Sequence, residues 1–369
     1  MDFSKLGSWL AAIKKKPKTS LAMAIVVAII SAVAIYNPEL IPDLGSDDNP
    51  APVPLQGWAG EDEAEQAWNA IGDTFPKFAI TPAHSSKGSV VNLWDAAKLV
   101  NDGKHLETFD QKIGDCVSQG AANAINYLQC VEIALHNERE EFRSAFQPYI
   151  YGTSRVQIGG GRLGRSDGSL GVWAADAVRK YGVLAADAPN VPPYSGDIAK
   201  EWGHKGPPSQ FIEIAKEHIV GATARVHSYE EIRDAITNGY PVTIASNQGF
   251  QMRAKVIDGR LWGIPSGSWA HQMCFVAVDD TVDCPRSAGG GHGAAYCLNS
   301  WGEDAHAPVS EYASTDDAPP GGFWVAAPIA GKMAQRGEAF AFSAFNGFPA
   351  QSVDFSIFGE AFNDDLRRN

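Results

Sequence analysis

The chain has 369 residues, 44% of them apolar, and a formal net charge of −13. That length holds one large domain or two ordinary ones, with enough apolar side chain for a real core. The acidic balance excludes nucleic acid as the main partner and suits a soluble, acidic exterior. Five cysteines leave at least one thiol unpaired within the chain, and their spacing holds neither CxxC nor a zinc pattern. Cys284 and Cys297 flank a glycine-rich stretch, where a bridge stays open as an alternative to free thiols. Cys130 and Cys274 read as small buried hydrophobes.

Residues 1–19 form a basic leader, with Lys5, Lys14, Lys15, Lys16 and Lys18 against Asp2 alone. Residues 20–36 follow, uncharged and almost wholly apolar, near the lower limit for a membrane-spanning helix. Basic residues ahead of the span predict a cytoplasmic amino terminus and everything after it outside. Ala32-Val33-Ala34 has the small-x-small form of a signal-peptidase site. The span is thus either a retained signal anchor or a removed signal peptide, giving a membrane-anchored or a secreted protein. Residues 37–57 carry five prolines among acids and glycine and read as an extended linker.

Residues 58–104 are expected to be an N-terminal extension, either structural or an inhibitory prosegment. Within it, Glu61 to Ile71 has helical composition with acids at its start, where the helix dipole prefers them. Val91 to Val100 reads as an amphipathic helix with Leu93, Trp94, Ala97 and Val100 on one face. A helix-forming run, Ala121 to Leu135, is opened by Cys116, and a second helical stretch is expected near Asn137 to Gln147. The glycines from 159 to 164 are a loop. They lack the preceding strand and the following Lys-Ser/Thr of a phosphate cradle, so no nucleotide role is assigned. Val172 to Tyr181 reads as a helix stopped by Gly182, and Tyr229 to Asn238 as one capped by Ser228.

From Pro241 the pattern changes to short strands: Val242–Ala245, Lys255–Ile257, Met273–Val278, Ala295–Asn299 and Phe323–Ala326. A helical half followed by a β half predicts an α+β fold. Residues 328–369 are a C-terminal extension, apolar from Phe340 to Phe348 but without clear periodicity.

The chemistry concentrates in three places. Cys116 stands at the amino end of a helix, where free N–H groups and the dipole favour a thiolate. His271 heads an apolar run far downstream, and Asn299 lies in Asn299-Ser300-Trp301-Gly302. Cys116 is expected to attack a carbonyl carbon, with His271 holding the thiolate and then protonating the leaving amine. Asn299 would orient the imidazole and Trp301 would cover that hydrogen bond. Gln111 and the Cys116 N–H would form an oxyanion hole. Singly, a buried Cys, a His before a strand or a loop Gln is more often structural; the strength lies in their order and local contexts.

These segments resemble the papain-like cysteine peptidases over about residues 105–327. Gln111…Gly114-Asp115-Cys116 is similar to the family's oxyanion glutamine and nucleophile. Ser166-Asp167-Gly168-Ser169, then Tyr181-Gly182-Val183 and Pro193-Tyr194, resemble its substrate cleft, which makes Gly168, Ser169 and Trp301 substrate-binding candidates. Asn238-Gly239-Tyr240-Pro241-Val242 is similar to the family's strand entry, Ala270-His271 and Asn299-Ser300-Trp301-Gly302 resemble its base and its asparagine motif, and Gly321-Gly322-Phe323-Trp324 resembles its closing strand. The resemblance implies a two-lobed fold, a helical lobe and an antiparallel β lobe, behind the N-terminal membrane helix. It also implies hydrolysis of peptide or protein substrates with neither metal nor organic cofactor.

Several residues depart from the family pattern. Gln111 lies five positions before Cys116, one fewer than usual; Val117 replaces an aromatic; Ser169 replaces a cleft glycine. Ile113 and Ser166 stand where the family has a disulfide, and Asp115 puts a negative charge beside the thiol, tending to raise its pKa. The rival reading is an inactive papain fold used as a binding or structural module at a membrane surface, in a larger assembly of unknown composition. Amide transfer with the same triad, and cell-wall peptide hydrolysis on topology alone, are further readings.

Overall fold

The computed structural model describes residues 55–83, 86–136, 141–218, 220–353 and 355. The leader 1–19, the apolar run 20–36 and most of the linker lie outside the described residues. Among the described residues, no helix is long and apolar enough to cross a membrane.

The first element among the described residues is α1 (Glu61–Ile71), which opens on three acids, followed by β1 (Ile80–Thr81), β2 (Val90–Asn92) and α2 (Leu93–Val100). The long helix α3 (Cys116–His136) follows, then α4 (Gln147–Gly152), running into a π-helical turn at Thr153–Ile158. Next come α5 (Gly171–Lys180), α6 (Gly196–Lys205), α7 (Ser209–Ala215), β3 (Ala222–Arg225) and α8 (Tyr229–Ile236). The second half holds β4 (Val242–Phe250), β5 (Lys255–Ile257), β6 (Arg260–Trp262), β7 (Pro265–Asp283) and β8 (His292–Leu298). It closes with α9 (Val309–Ser314), β9 (Gly322–Ala326), α10 (Ala327–Arg336), β10 (Glu338–Ser343) and β11 (Phe348–Pro349).

The result is a mixed helix-and-sheet fold. One sheet has the order β3-β10-β4-β7-β8-β9-β6-β5, with β2 also paired to β7; β1 and β11 pair separately. Strands β4, β7, β8 and β9 are antiparallel neighbours. Helix α3 lies against β7 with Val117, Ala121, Ala122, Ala124, Ile125 and Val131 all buried. Gly120 makes that approach possible: a Cβ there would come 3.0 Å from the Met273 carbonyl oxygen. This close contact brings the amino end of α3 against the His271–Met273 stretch of β7.

Three elements differ from the sequence expectation for identifiable reasons. Glu141 to Phe146 is not helical, and residues 137–140 lie outside the described residues; the helix starts at Gln147, with Pro148 in its first turn. Proline has no N–H to donate and fits a first turn, so it starts a helix rather than continuing one. The aperiodic stretch from Phe340 contains most of β10, which lies between β3 and β4 with every residue buried. A strand covered on both faces has no reason to alternate. The helix of 91–100 is shorter than expected, because residues 90–92 pair with β7 before α2 begins. All five cysteines are free, so the bridge left open between Cys284 and Cys297 is not formed. Cys284 Sγ faces the Gly293 carbonyl at 3.0 Å and Cys297 Sγ lies 3.7 Å from Met273 Sδ.

Candidate active site

The Asp115 carbonyl accepts from the N–H groups of Ser118 and Gln119, at 2.9 and 3.2 Å, and so starts α3 with Cys116 in its first turn. The Cys116 Sγ in turn accepts the Gln272 backbone N–H at 3.4 Å. The neighbour of Gln272 on β7 is His271, which pairs with Ser246 of β4. The β7–β8 register, Cys274 opposite Leu298, carries Asn299 alongside the same part of β7. His271 Nε2 and Asn299 Oδ1 are 2.6 Å apart. Asn299 Oδ1 also accepts the Ser300 N–H at 2.7 Å, so it is the amide oxygen that faces the ring and His271 Nε2 that carries the proton. The other ring nitrogen, Nδ1, is buried without a hydrogen-bond partner. The Trp301 ring lies 4.4 Å from the imidazole, centroid to centroid, and Trp269 packs edge-on behind it at 4.9 Å.

Gln111 reaches the same place from the loop before α3. Its Oε1 accepts from Ser300 Oγ at 2.8 Å, and its Nε2 donates to the carbonyls of Ile113, at 2.9 Å, and Leu55, at 3.4 Å. Gly168 and Ser169 lie on the helical side. Arg155 holds the Gly168 carbonyl and the Tyr151 hydroxyl accepts the Gly168 N–H at 2.9 Å, so the loop is clamped from below. Cys116, His271, Asn299, Gln111, Ser169 and Trp301 therefore converge, with Gly168 at the edge.

Sequence reasoning missed the segment that crosses this convergence. Ala59 N–H donates to the Ser169 carbonyl at 3.0 Å and Ser169 N–H to the Gly57 carbonyl at 2.8 Å, a parallel bridge centred on Trp58 and Ser169. On the other side, Gly57 and Trp58 N–H groups donate to the Ala270 carbonyl at 3.3 and 3.1 Å, and Ala270 N–H donates to Gln56 Oε1 at 2.9 Å. Leu55 offers its carbonyl to Trp301 Nε1 at 2.9 Å. Trp58 is 4% exposed, with its indole N–H on the Glu338 carboxylate at 2.7 Å. Glu338 also accepts the Gly171 and Val172 N–H groups at the start of α5, each at 2.8 Å. The one sequence signal was a tryptophan beside a glycine at the end of a proline-rich linker.

Burial decides the electrostatics. Cys116 is fully buried, and its thiol is pushed up to about 12, chiefly by loss of water. The N–H groups of Gln272, Gly57 and Val117 oppose that rise, and the Asp115 charge adds to it. Burial likewise pushes His271 down to about 4, with the Asn299 contact opposing and His306 assisting. Both shifts favour a neutral thiol and a neutral imidazole. Asp115 is itself pushed up to about 7 by burial, against hydrogen bonds from Gln119 Nε2 at 2.9 Å and the Tyr194 hydroxyl at 3.1 Å. The negative charge expected beside Cys116 is therefore partly cancelled by protonation near neutral pH. Among the described residues no cluster of His, Cys, Asp or Glu could hold a metal ion.

Comparison with known proteins gives no match to a protein-family model and none to a curated protein. Among solved structures, the chain is similar to xylellain, a cysteine protease from Xylella fastidiosa, at 16% identity and a TM-score of 0.45, covering 73% of this chain and 94% of that one. It is also similar to procathepsin B from Trypanosoma congolense, at 11% identity and a TM-score of 0.48, covering 86% and 97%. A third is digestive procathepsin L 3 from the larval midgut of Tenebrio molitor, at 14% identity and a TM-score of 0.42, covering 93% and 99%. The structural neighbours are papain-like cysteine proteases.

Proposed function

We propose that this chain is a cysteine peptidase that hydrolyses peptide bonds through a thioester on Cys116, and that residues 55–59 hold it latent. The observation that carries the reading is the His271–Asn299 contact at 2.6 Å, which leaves His271 Nδ1 unpartnered, while the Cys116 thiol at the amino end of α3 accepts the N–H of the next residue, Gln272. With the cleft cleared, water returns, both burial penalties fall, and proton transfer from Cys116 to His271 Nδ1 becomes favourable at a helix amino end. The thiolate attacks the substrate carbonyl carbon. The Cys116 N–H and Gln111 Nε2, freed from the Leu55 carbonyl, stabilise the oxyanion. The imidazolium gives its proton to the leaving amine as the C–N bond breaks; water, deprotonated by His271, then cleaves the thioester and restores the thiol. Asn299 fixes the ring, and Trp301 keeps water off the Asn299–His271 bond. Gly168 and Ser169 supply the backbone edge for a substrate, as Ser169 does now for Trp58.

In this reading a helical lobe faces an antiparallel β lobe across a cleft, and residues 55–59 occupy that cleft. The rest of the extension is not removable as one piece in this reading. Strand β2 pairs with β7, and Leu93, Trp94, Ala96 and Ala97 of α2 are buried in the core. Activation therefore acts on the stretch near Leu55–Gly60, by displacement or clipping. The basic leader and the apolar run 20–36 support an extracytoplasmic position for the enzyme, anchored or released. The test is hydrolysis of a fluorogenic peptide library by the full chain before and after limited proteolysis. Turnover that appears after clipping and is absent in Cys116→Ala and His271→Ala supports the proposal; no turnover in any form favours a binding module.

A further inference from the structure

Behind Asn299 stands a histidine that the peptidase chemistry does not use. Asn299 Nδ2 lies 2.9 Å from His306 Nε2, and His306 Nδ1 lies 2.8 Å from the Met252 carbonyl. A carbonyl oxygen only accepts, so His306 Nδ1 carries the proton and His306 Nε2 presents a lone pair. An amide NH2 only donates, so Asn299 is turned with its nitrogen to His306 and its oxygen to His271. The protons along this line are thereby fixed in sequence, from Met252 through His306 and Asn299 to His271, ending at His271 Nδ1.

The setting keeps His306 neutral. Its ring is 0% exposed, stacked on Trp269 at 6.1 Å, flanked by Trp301 at 5.8 Å and met by the edge of Phe323 at 4.7 Å. The charged or titratable groups acting on it are Arg253, on the segment after β4, and His271 on β7; neither favours a second positive charge. A protonated His306 would point an N–H at the Asn299 amide nitrogen and break the line.

We propose that His306 is a positioning residue: as the Nδ1–H tautomer it locks the Asn299 amide so that its oxygen faces His271. The kinetic part rests on the peptidase reading given above; the tautomer part does not. Selective ring-15N labelling of histidine in the full chain is expected to show His306 protonated at Nδ1 and unprotonated at Nε2 near neutral pH, the signal being assigned by its loss in His306→Gln. An Nε2–H tautomer, or an imidazolium, at His306 overturns the inference whatever the chain hydrolyses.

For turnover, His306→Phe keeps a flat ring but offers no acceptor, and His306→Gln can both accept from Asn299 and donate to Met252. With the buried Asn299 donor orphaned, kcat is expected to fall about tenfold or more in the Phe variant while KM stays within about twofold. The Gln variant is expected to recover most of that loss. Wild-type kcat in His306→Phe, or equal losses in both variants that follow a fall in thermal midpoint, would contradict a positioning role. A wild-type chain that cleaves no peptide would count against the peptidase reading, and the 15N measurement would still decide this one.

Discussion

Replacing Gly57 by alanine tests the occluding segment without touching any group that takes part in bond cleavage. A Cβ at this position would lie 2.0 Å from the Gly114 carbonyl oxygen and 2.3 Å from its carbonyl carbon. Both neighbours are backbone, and the two chains pass equally close on the other side, where a Cβ on Gly114 would lie 2.4 Å from the Gln56 carbonyl oxygen. The segment must lift or distort, loosening the bonds to Ala270 and Ser169 on either side. Overpacking of this kind costs about 1–3 kcal/mol. Borne by the occluded form alone, that cost raises the cleared population about 5- to 150-fold. The assay is the second-order rate at which a small peptidyl epoxide alkylates Cys116 in the full chain, read by intact mass. Gly57→Ala is expected to react faster by a factor in that range, with a thermal midpoint lowered by a few degrees. A folded variant that reacts at the wild-type rate would refute the idea that residues 55–59 control access to the thiol.

Other outcomes follow from the same geometry. Burial pushes the Cys116 thiol up to about 12, and lifting the segment readmits water, so its alkylation in Gly57→Ala should begin at lower pH than in wild type; coincident pH profiles would contradict this. Asp115, held up to about 7 against an ordinary 3.8, keeps a proton in the fold that the unfolded chain gives up, so its contribution to stability falls as pH rises across that window and is flat outside it. Asp115→Asn should remove that slope from urea midpoints, and a wild-type-minus-variant difference that does not change across the window would count against it. Once the cleft is cleared, Gln111→Ala should lower kcat about 10²- to 10³-fold with little change in KM; a change confined to KM would assign Gln111 to binding instead. Titration of the denatured chain without reductant should find five thiols, as the structure has five free cysteines.

Much of the fold could be read in the sequence wherever one face of an element meets solvent or a cap marks its end. Ser228 accepts from the Glu231 N–H at 3.2 Å and Gly182 takes a φ of 74°, so α8 begins and α5 ends where these residue types dictate. Lys255–Ile257 and Glu61–Ile71 were legible on the same grounds. Strand β10 was not, because burial on both faces erases alternation. The candidate site divides in the same way. Cys116, His271, Asn299 and Gln111 stand in distinctive local contexts. Residues 55–59 and His306 do not: a linker and a loop histidine gain meaning only from the Ser169, Ala270 and Asn299 groups that the fold brings to them. Asp115 was identified as a charge beside the thiol, but its protonation depends on burial, which adjacency in sequence cannot reveal.

The decisive measurement is the site of reaction of an irreversible thiol-peptidase probe on the full chain, located by peptide mass spectrometry after limited proteolysis near Leu55–Gly60. The expected result is one adduct on Cys116, absent in Cys116→Ala and strongly slowed in His271→Ala, although four other thiols are present. A Cys116 that stays unmodified in the folded, clipped protein, or that reacts equally fast without His271, would contradict a peptidase built on these two residues.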